Sequence, residues 1–182
     1  MPEEGDFLID GGACLGDSTS VFSNAVGIEG KVYAFDPVAD HLEILKHNAM
    51  QFPINNVEVV EYGLSNKNID HPPLRLNQYN PAFQSRALDL PLVKIDSLVE
   101  NKILSRIDFI KLDVEGSEVE VLQGAQRSIS IFQPKMAISL YHKPNDLFEI
   151  PLLIRKLFPF YSQVALDHYS IQMGESVFYV SV

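Results

Sequence analysis

With 182 residues, 24 acidic against 14 basic side chains and a net charge of −10, the chain has the length of about one domain and repels nucleic acid and anionic lipid. Hydrophobic residues at 46% and charged residues at 21% are ordinary for a globular protein and exclude a disordered one. The longest unbroken apolar runs, Val32 to Phe35 and Val177 to Val180, are four residues each, against the roughly 20 that a membrane span needs. The lone Cys14 excludes an intrachain disulfide and fits a reducing, cytoplasmic compartment. Met1 to Asp6 is acidic and short, unlike a secretory signal. The expectation is one soluble intracellular domain, residues 1–182, with neither nucleic acid nor membrane as a partner.

Apolar runs alternate with helical patterns almost throughout, as in a parallel α/β sheet. Phe7-Leu-Ile9 reads as a buried first strand ending at Asp10-Gly-Gly. Asp17 and Ser18 then supply N-cap chemistry for a helix with Val21, Phe22, Ala25 and Val26 on one face. Lys31 to Phe35 is a second strand, closed by Asp36-Pro37, and residues 38–52 form a helix with Leu42, Leu45, Ala49 and Phe52 as its stripe. Val57 to Glu61 alternates and makes a third strand.

Between Asn66 and Leu90 the periodicity fails, and Pro72, Pro73 and Pro81 forbid a long helix, so an irregular loop or edge hairpin is expected. Order resumes at Leu92 to Ile95, followed by a short helix near Asp96 to Asn101. Ile107 to Asp113 is apolar enough for a sheet centre, and the helix after it carries Leu122, Ala125, Ile129 and Phe132 on one face. Met136 to Tyr141 is a further strand. Pro151 suits the first turn of a helix reaching about Phe158, because proline there loses no intrahelical bond. Tyr161 to Asp167 and Ser176 to Val182 are too close for a helical crossover and must pair antiparallel, which reverses one strand of the sheet.

In an open parallel sheet, ligands bind beyond the carboxyl ends of the strands, near the point where strand order reverses. Five strand ends carry polar residues: Asp10 to Gly16, Asp36-Pro37, Tyr62-Gly63-Leu64, Asp113 to Glu118, and Tyr141-His142-Lys143. Gly11, Gly12 and Gly16 allow close approach of backbone to a ligand, and Asp36, 20 residues beyond Gly16, can accept hydrogen bonds from ribose hydroxyls. The dinucleotide pattern G-x-G-x-x-G fails at Ala13, and an acid at Asp10 suits a positively charged cofactor better than a pyrophosphate. A tight turn without any ligand is the bland alternative.

The order D-x-G-A-x-x-G, A-F-x-P, I-K-x-D-V-E-G-x-E resembles the FkbM-type methyltransferases, a branch of the S-adenosylmethionine-dependent Rossmann-like class. Here it reads Asp10 to Gly16, Ala34 to Pro37 and Ile110 to Glu118, with further matches in Leu122 to Ala125, Ala137 to Pro144, Asp146 to Pro151, His168-Tyr169 and Glu175-Ser-Val. The resemblance runs from residue 7 to the end and is most specific from Lys111 to Glu118. It implies a class I methyltransferase fold, a seven-stranded, mostly parallel sheet with the last strand antiparallel and helices on both faces. Asp36 stands where relatives often have glutamate, and Asp167 where many are basic. Gln78 to Leu90 lacks the Gly/Ser-rich stretch of relatives. The chain starts at strand one without the family's usual covering helix, as expected of a trimmed or minimal member.

The resemblance implies S-adenosylmethionine as the cofactor, with Asp10, Gly11, Gly12, Ala13, Gly16, Asp17, Ser18, Asp36, Pro37 and Gly63 as the residues expected to bind it. It also implies transfer of the methyl group to a hydroxyl of a small molecule or sugar. His142 and Asp113 end neighbouring strands if the sheet has the methyltransferase order. His142 is then the expected base, neutral near its reference pKa of about 6.5, and Asp113 the group that orients it or the acceptor. Glu115 and Glu118 read as helix-terminus residues, His41, His47 and His71 as surface histidines, and Cys14 as a packed thiol. Metal binding by Asp113, Glu115 and a histidine is conceivable, but no spaced ligand set marks a metal. Tyr141 or Phe83 could face a sulfonium. Two other readings stay open: a nicotinamide-dependent oxidoreductase, and a catalytically silent domain that binds cofactor or partner without turnover.

Overall fold

The computed structural model describes residues 1–71, 90–169 and 175–182. Its strands are β1 (Phe7–Gly11), β2 (Lys31–Phe35), β3 (Val57–Val60), β4 (Gly63–Leu64), β5 (Leu92–Val93), β6 (Phe109–Leu112), β7 (Lys135–Ser139), β8 (Gln163–His168) and β9 (Ser176–Ser181). Seven of them form one sheet in the order β3-β2-β1-β6-β7-β9-β8. Strand order reverses between β1 and β6, which hydrogen-bond in parallel from Leu8↔Phe109 to Gly11↔Leu112. β9 runs antiparallel to both β7 and β8 and is the one reversed strand of the seven.

Alternation along the strands shows why the sheet is covered twice. In β2, Val32 and Ala34 face one side, Tyr33 and Phe35 the other, and all four are buried. On the first side lie α1 (Asp17–Val26) and α2 (Ala39–Ala49), through Val26, Leu42 and Leu45. On the second lie α3 (Ile95–Glu100), α4 (Glu118–Gly124), α5 (Gln126–Phe132) and α6 (Asp146–Leu157), through Leu98, Leu122, Ile129 and Ile150. No helix among the described residues is long and apolar enough to cross a membrane.

Leu92–Val93 pairs in parallel with Gly63–Leu64 as a separate ribbon, which Ile69 extends by a bridge to Leu92. Three local expectations change. In α1 the buried stripe is Thr19, Ser23 and Val26, with Val21 exposed. The Thr19 hydroxyl donates to Asp10 and the Ser23 hydroxyl to Asn56, so two polar residues take core positions that hydrophobicity alone assigns to Val21 and Ala25. The helix after β6 is two short helices meeting at Ala125. Finally, α6 starts five residues before Pro151, because the Asn145 carbonyl accepts from the amides of Phe148 and Glu149. Proline there costs an intrahelical bond, about 3 kcal/mol, which the fully buried Ile150 and Ile154 offset at about 1.5–3 kcal/mol each. Residues 72–89, including Pro72, Pro73, Pro81 and Phe83, lie outside the described residues.

Candidate active site

The turn from β1 into α1 is held from beneath. Asp10 is fully buried; its Oδ2 accepts from the hydroxyls of Ser18 (2.8 Å) and Thr19 (2.7 Å), and its Oδ1 lies 3.0 Å from Lys111 Nζ. The same ammonium donates to the Gly12 carbonyl at 2.9 Å. Asp10 therefore braces the turn through internal partners instead of facing outward as a counter-charge. Lys111, which motif reading treated only as part of a block, is the cation that ties β6 to this turn.

The amides of the turn are also engaged. Gly12 and Ala13 donate to the Phe35 carbonyl, Gly16 donates to the Ala13 carbonyl, and Cys14 donates to Asp36 Oδ2 at 3.0 Å. Gly12 has φ +78°, and a Cβ there would lie 1.9 Å from the Asp113 carbonyl oxygen, so the turn from β1 packs directly on the end of β6. Gly16, at φ +100°, precedes α1 in the left-handed region and caps it without a side chain, so Asp17 and Ser18 are not its N-caps. Asp17 is exposed in the first helical turn, and Ser18 is turned inward to Asp10. Gly11 and Ala13 are buried, and Gly63 packs so closely on Pro37 that a Cβ would come within 2.8 Å of it. These four shape the rim from within.

Asp36 closes β2 and is only 6% exposed. Its Oδ2 accepts from the Cys14 amide, and its Oδ1 accepts from the Val38 amide and meets His41 Nδ1, each at 3.0 Å. A carboxylate offers about four acceptor positions, so three are filled and, among the described residues, one on Oδ2 has no partner. His41 is buried beside it, not on the helix surface as expected. Periodicity hides this, because His41 precedes Leu42 and shares the inward face through its contact with Asp36. Cys14 is exposed, not packed; partial burial and the nearby Asp36 carboxylate both push its thiol pKa up, which disfavours a thiolate nucleophile.

Across the rim, the ends of β6 and β7 bring Asp113 and His142 together, with Asp113 Oδ1 3.3 Å from His142 Nε2. The Tyr141 hydroxyl donates to the same Asp113 oxygen at 2.7 Å. Burial and the Asp113 charge raise the Tyr141 phenol above its ordinary range. Glu118, at the start of α4, is buried; its Oε1 accepts from the Val114 and Gly116 amides and lies 2.9 Å from His142 Nδ1. Glu115 Oε2 is 3.7 Å from Nε2. Burial by itself would lower the His142 pKa, but the surrounding Glu118, Asp113 and Glu115 outweigh it and raise it. The neutral imidazole expected for a base near pH 6–7 is thus not the form this cage favours. Glu118 and Lys111 are the residues here that sequence reasoning missed, although both lie inside the most specific motif block. His168, exposed on the β8 side, meets Ser176 Oγ at 2.9 Å, away from this cluster.

From Asp113 a cleft of about 330 Å³ opens over the sheet face, lined among others by Phe22, Ser139, Tyr141, Tyr169 and Tyr179.

Comparisons with known proteins bear on the family and the fold. The methyltransferase FkbM domain model matches residues 10–161. Hexuronic acid methyltransferase AglP of Haloferax volcanii is 29% identical over 131 residues, covering 70% of this chain and 53% of that protein. A methyltransferase FkbM from Methylobacillus flagellatus has 25% identity and a TM-score of 0.77, over 99% of this chain and 44% of its own. A SAM-dependent O-methyltransferase from Thermotoga maritima, 15% identical with a TM-score of 0.60 over 99% of this chain and 60% of its own, shares the fold. The chain spans about half the length of the first two, at 53% and 44%. The family match takes in the Asp10 turn, the Asp36 strand end and the Asp113–Glu118 block alike, and on that span the chain belongs to the FkbM methyltransferase domain family.

Proposed function

We propose that this chain transfers the methyl group of S-adenosylmethionine to a hydroxyl of a sugar or similar small molecule. The observation that carries the reading is the shared rim: the β1–α1 turn, Asp36 with one unfilled acceptor position, and a cleft ending at Asp113 meet where strand order reverses. The residues present fit this cofactor better than a dinucleotide. The Gly12, Ala13, Cys14 and Gly16 amides already have internal acceptors, and the acidic rim suits a cation better than a pyrophosphate.

When bound, S-adenosylmethionine supplies a methyl group made electrophilic by its sulfonium. Asp36 accepts from the ribose hydroxyls, and its low exposure makes that hydrogen bond stronger than it would be in water. Asp10, Lys111 and Gly12 hold the turn in place, and Asp17 at the start of α1 adds negative charge to the rim. Tyr141, Tyr169 and Tyr179 present apolar rings with polar tips along the cleft, a surface suited to a sugar ring. Asp113 and His142 meet the acceptor hydroxyl, and orientation of the reacting groups supplies most of the rate. The methyltransferase from Haloferax volcanii is named for a hexuronic acid, which makes uronic acids and their glycosides the first acceptors to try.

Calorimetric titration of the full chain with S-adenosylhomocysteine and, in parallel, with NAD tests the reading. Saturable binding of the first and none of the second is expected. A folded chain that binds neither is a silent domain, and one that binds only NAD overturns the proposal. With binding in hand, a 13C-methyl donor and candidate sugars report the product by its O-methyl carbon resonance.

A further inference from the structure

We infer that Asp113, Glu118 and His142 form a binding site for one divalent transition-metal ion at the inner end of the cleft. Each offers a donor atom, and the three atoms lie within 4.8 Å of one another. They arrive from three separate places: the end of β6, the first residue of α4, and the segment after β7. Two ligands on one ion with bonds of about 2.1 Å stand about 3.0–4.2 Å apart, depending on the angle between them. Asp113 Oδ1 and His142 Nε2, at 3.3 Å, fall inside that span, and Glu118 brings an oxygen within 4.8 Å of the donor atoms of both.

A second observation is independent of this clustering. The His142 side chain is only 6% exposed, yet neither ring nitrogen makes an aligned hydrogen bond; its contacts are ion-pair distances to the carboxylates around it. Glu118 is 1% exposed, and its Oε2 is buried with no hydrogen-bond partner. Buried polar atoms are almost always satisfied, because each one left alone loses its hydration with nothing in return. One cation would take up one ring nitrogen and the two carboxylates, leaving the other ring nitrogen to a carboxylate beside it.

Charge points the same way. Asp113 and Glu118 bring two negative charges to the ring, with Glu115 beside them. The nearby lysines are directed elsewhere: Lys111 to Asp10 and the Gly12 carbonyl, Lys143 to Glu120 at 3.9 Å. Among the described residues no Lys or Arg is ion-paired with Asp113 or Glu118. One imidazole and two carboxylates neutralise a doubly charged ion. The mixed N,O set, without thiolate, suits Mn²⁺, Co²⁺ or Zn²⁺ better than the all-oxygen preference of Ca²⁺.

Three protein ligands would leave coordination positions on the ion for other groups, and Asp113 also lines the cleft. In a further step that rests on the methyltransferase reading, an acceptor hydroxyl oxygen would take one of these positions, where the ion lowers its pKa. Binding of the ion itself does not depend on that reading.

The test is titration of chelator-treated full chain with Mn²⁺, without any methyl donor, followed by electron paramagnetic resonance of the free ion and by calorimetry. Zn²⁺ and Mg²⁺ are titrated in parallel. One equivalent of Mn²⁺ should bind per chain, with Zn²⁺ competing for it. Asp113→Asn and His142→Gln should each weaken binding at least tenfold to a hundredfold, while Glu149→Gln, on the exposed face of α6, should leave it unchanged. Glu118→Gln removes a buried carboxylate and can cost the fold; Asp113→Asn, half-buried and isosteric, keeps the test decisive in that event. Failure of the folded chain to bind Mn²⁺, Zn²⁺ and Mg²⁺ more tightly than the Asp113→Asn/His142→Gln double variant overturns the inference. If the same chain still binds S-adenosylhomocysteine, only the metal site falls.

Discussion

The two halves of the rim are built on opposite plans. On the β1–β2 side the carboxylates are tied to donors of the frame: Asp10 sits between two hydroxyls and the Lys111 ammonium, and four turn amides donate to Phe35, Ala13 and Asp36. On the β6–β7 side carboxylates crowd a histidine whose ring nitrogens have no aligned partner, and a buried oxygen of Glu118 has none either. The first half is a finished frame with one acceptor position to offer. The second carries negative charge and, among the described residues, buried atoms without a hydrogen-bond partner. A rigid frame suits recognition of a ligand of fixed shape, and an incomplete cluster suits chemistry that starts when the ligand arrives.

The largest effect separates the halves by function. His142→Ala should leave S-adenosylhomocysteine affinity within about twofold and lower turnover by about a hundredfold to ten-thousandfold, the usual contribution of a positioned group at the reacting atoms. Calorimetry and initial rates on one preparation decide this. Equal losses in both would merge the two halves into one site.

Gly12→Ala tests the point where the halves touch. The added Cβ would sit 1.9 Å from the Asp113 carbonyl oxygen at a backbone φ of +78°. Backbone has to shift, and the expected cost is about 3 kcal/mol, read as a lower urea midpoint. Sequence reasoning alone expects this rim glycine to tolerate a side chain in the fold and lose only ligand. A Gly12→Ala protein with parental stability would restore that simpler view.

Asp36→Asn should weaken S-adenosylhomocysteine binding about tenfold to a hundredfold, from about 1.5–3 kcal/mol for a hydrogen bond to a charged group. The asparagine must also point an NH2 at either the Cys14 amide or the Val38 amide, so thermal stability should fall by a few degrees. Affinity unchanged in a folded variant would move the ribose away from β2. The smallest effect is a control on the opposite surface of α1: Val21→Lys should change stability by no more than about 0.5 kcal/mol, since Val21 is exposed. A loss above 1.5 kcal/mol in chemical denaturation would mean that face is covered.

Much of the architecture was legible because it depends on short-range pattern. The apolar strands, their alternation with helices, and the two closely spaced final strands are local signals, and they led to a seven-stranded sheet with one reversed strand. The strand ends that carry Asp10, Asp36, Asp113 and His142 followed from the same reading, since a strand ends where its apolar run ends.

Tertiary structure decided what each of those residues does. Whether Asp10 faces a ligand or Lys111 depends on the pairing of β1 with β6: the two residues are far apart in the chain, and only the Asp10↔Lys111 register puts them side by side. Thr19 and Ser23 are core residues because Asp10 and Asn56 wait for their hydroxyls, and a hydrophobicity stripe scores both as surface. His41 is buried because Asp36 turns back toward α2. The cage around His142 joins three elements that are adjacent only after the sheet has formed. Apolar burial is additive and shows in residue type, whereas a polar side chain's role is set by which partner the folded chain places within about 3 Å of it.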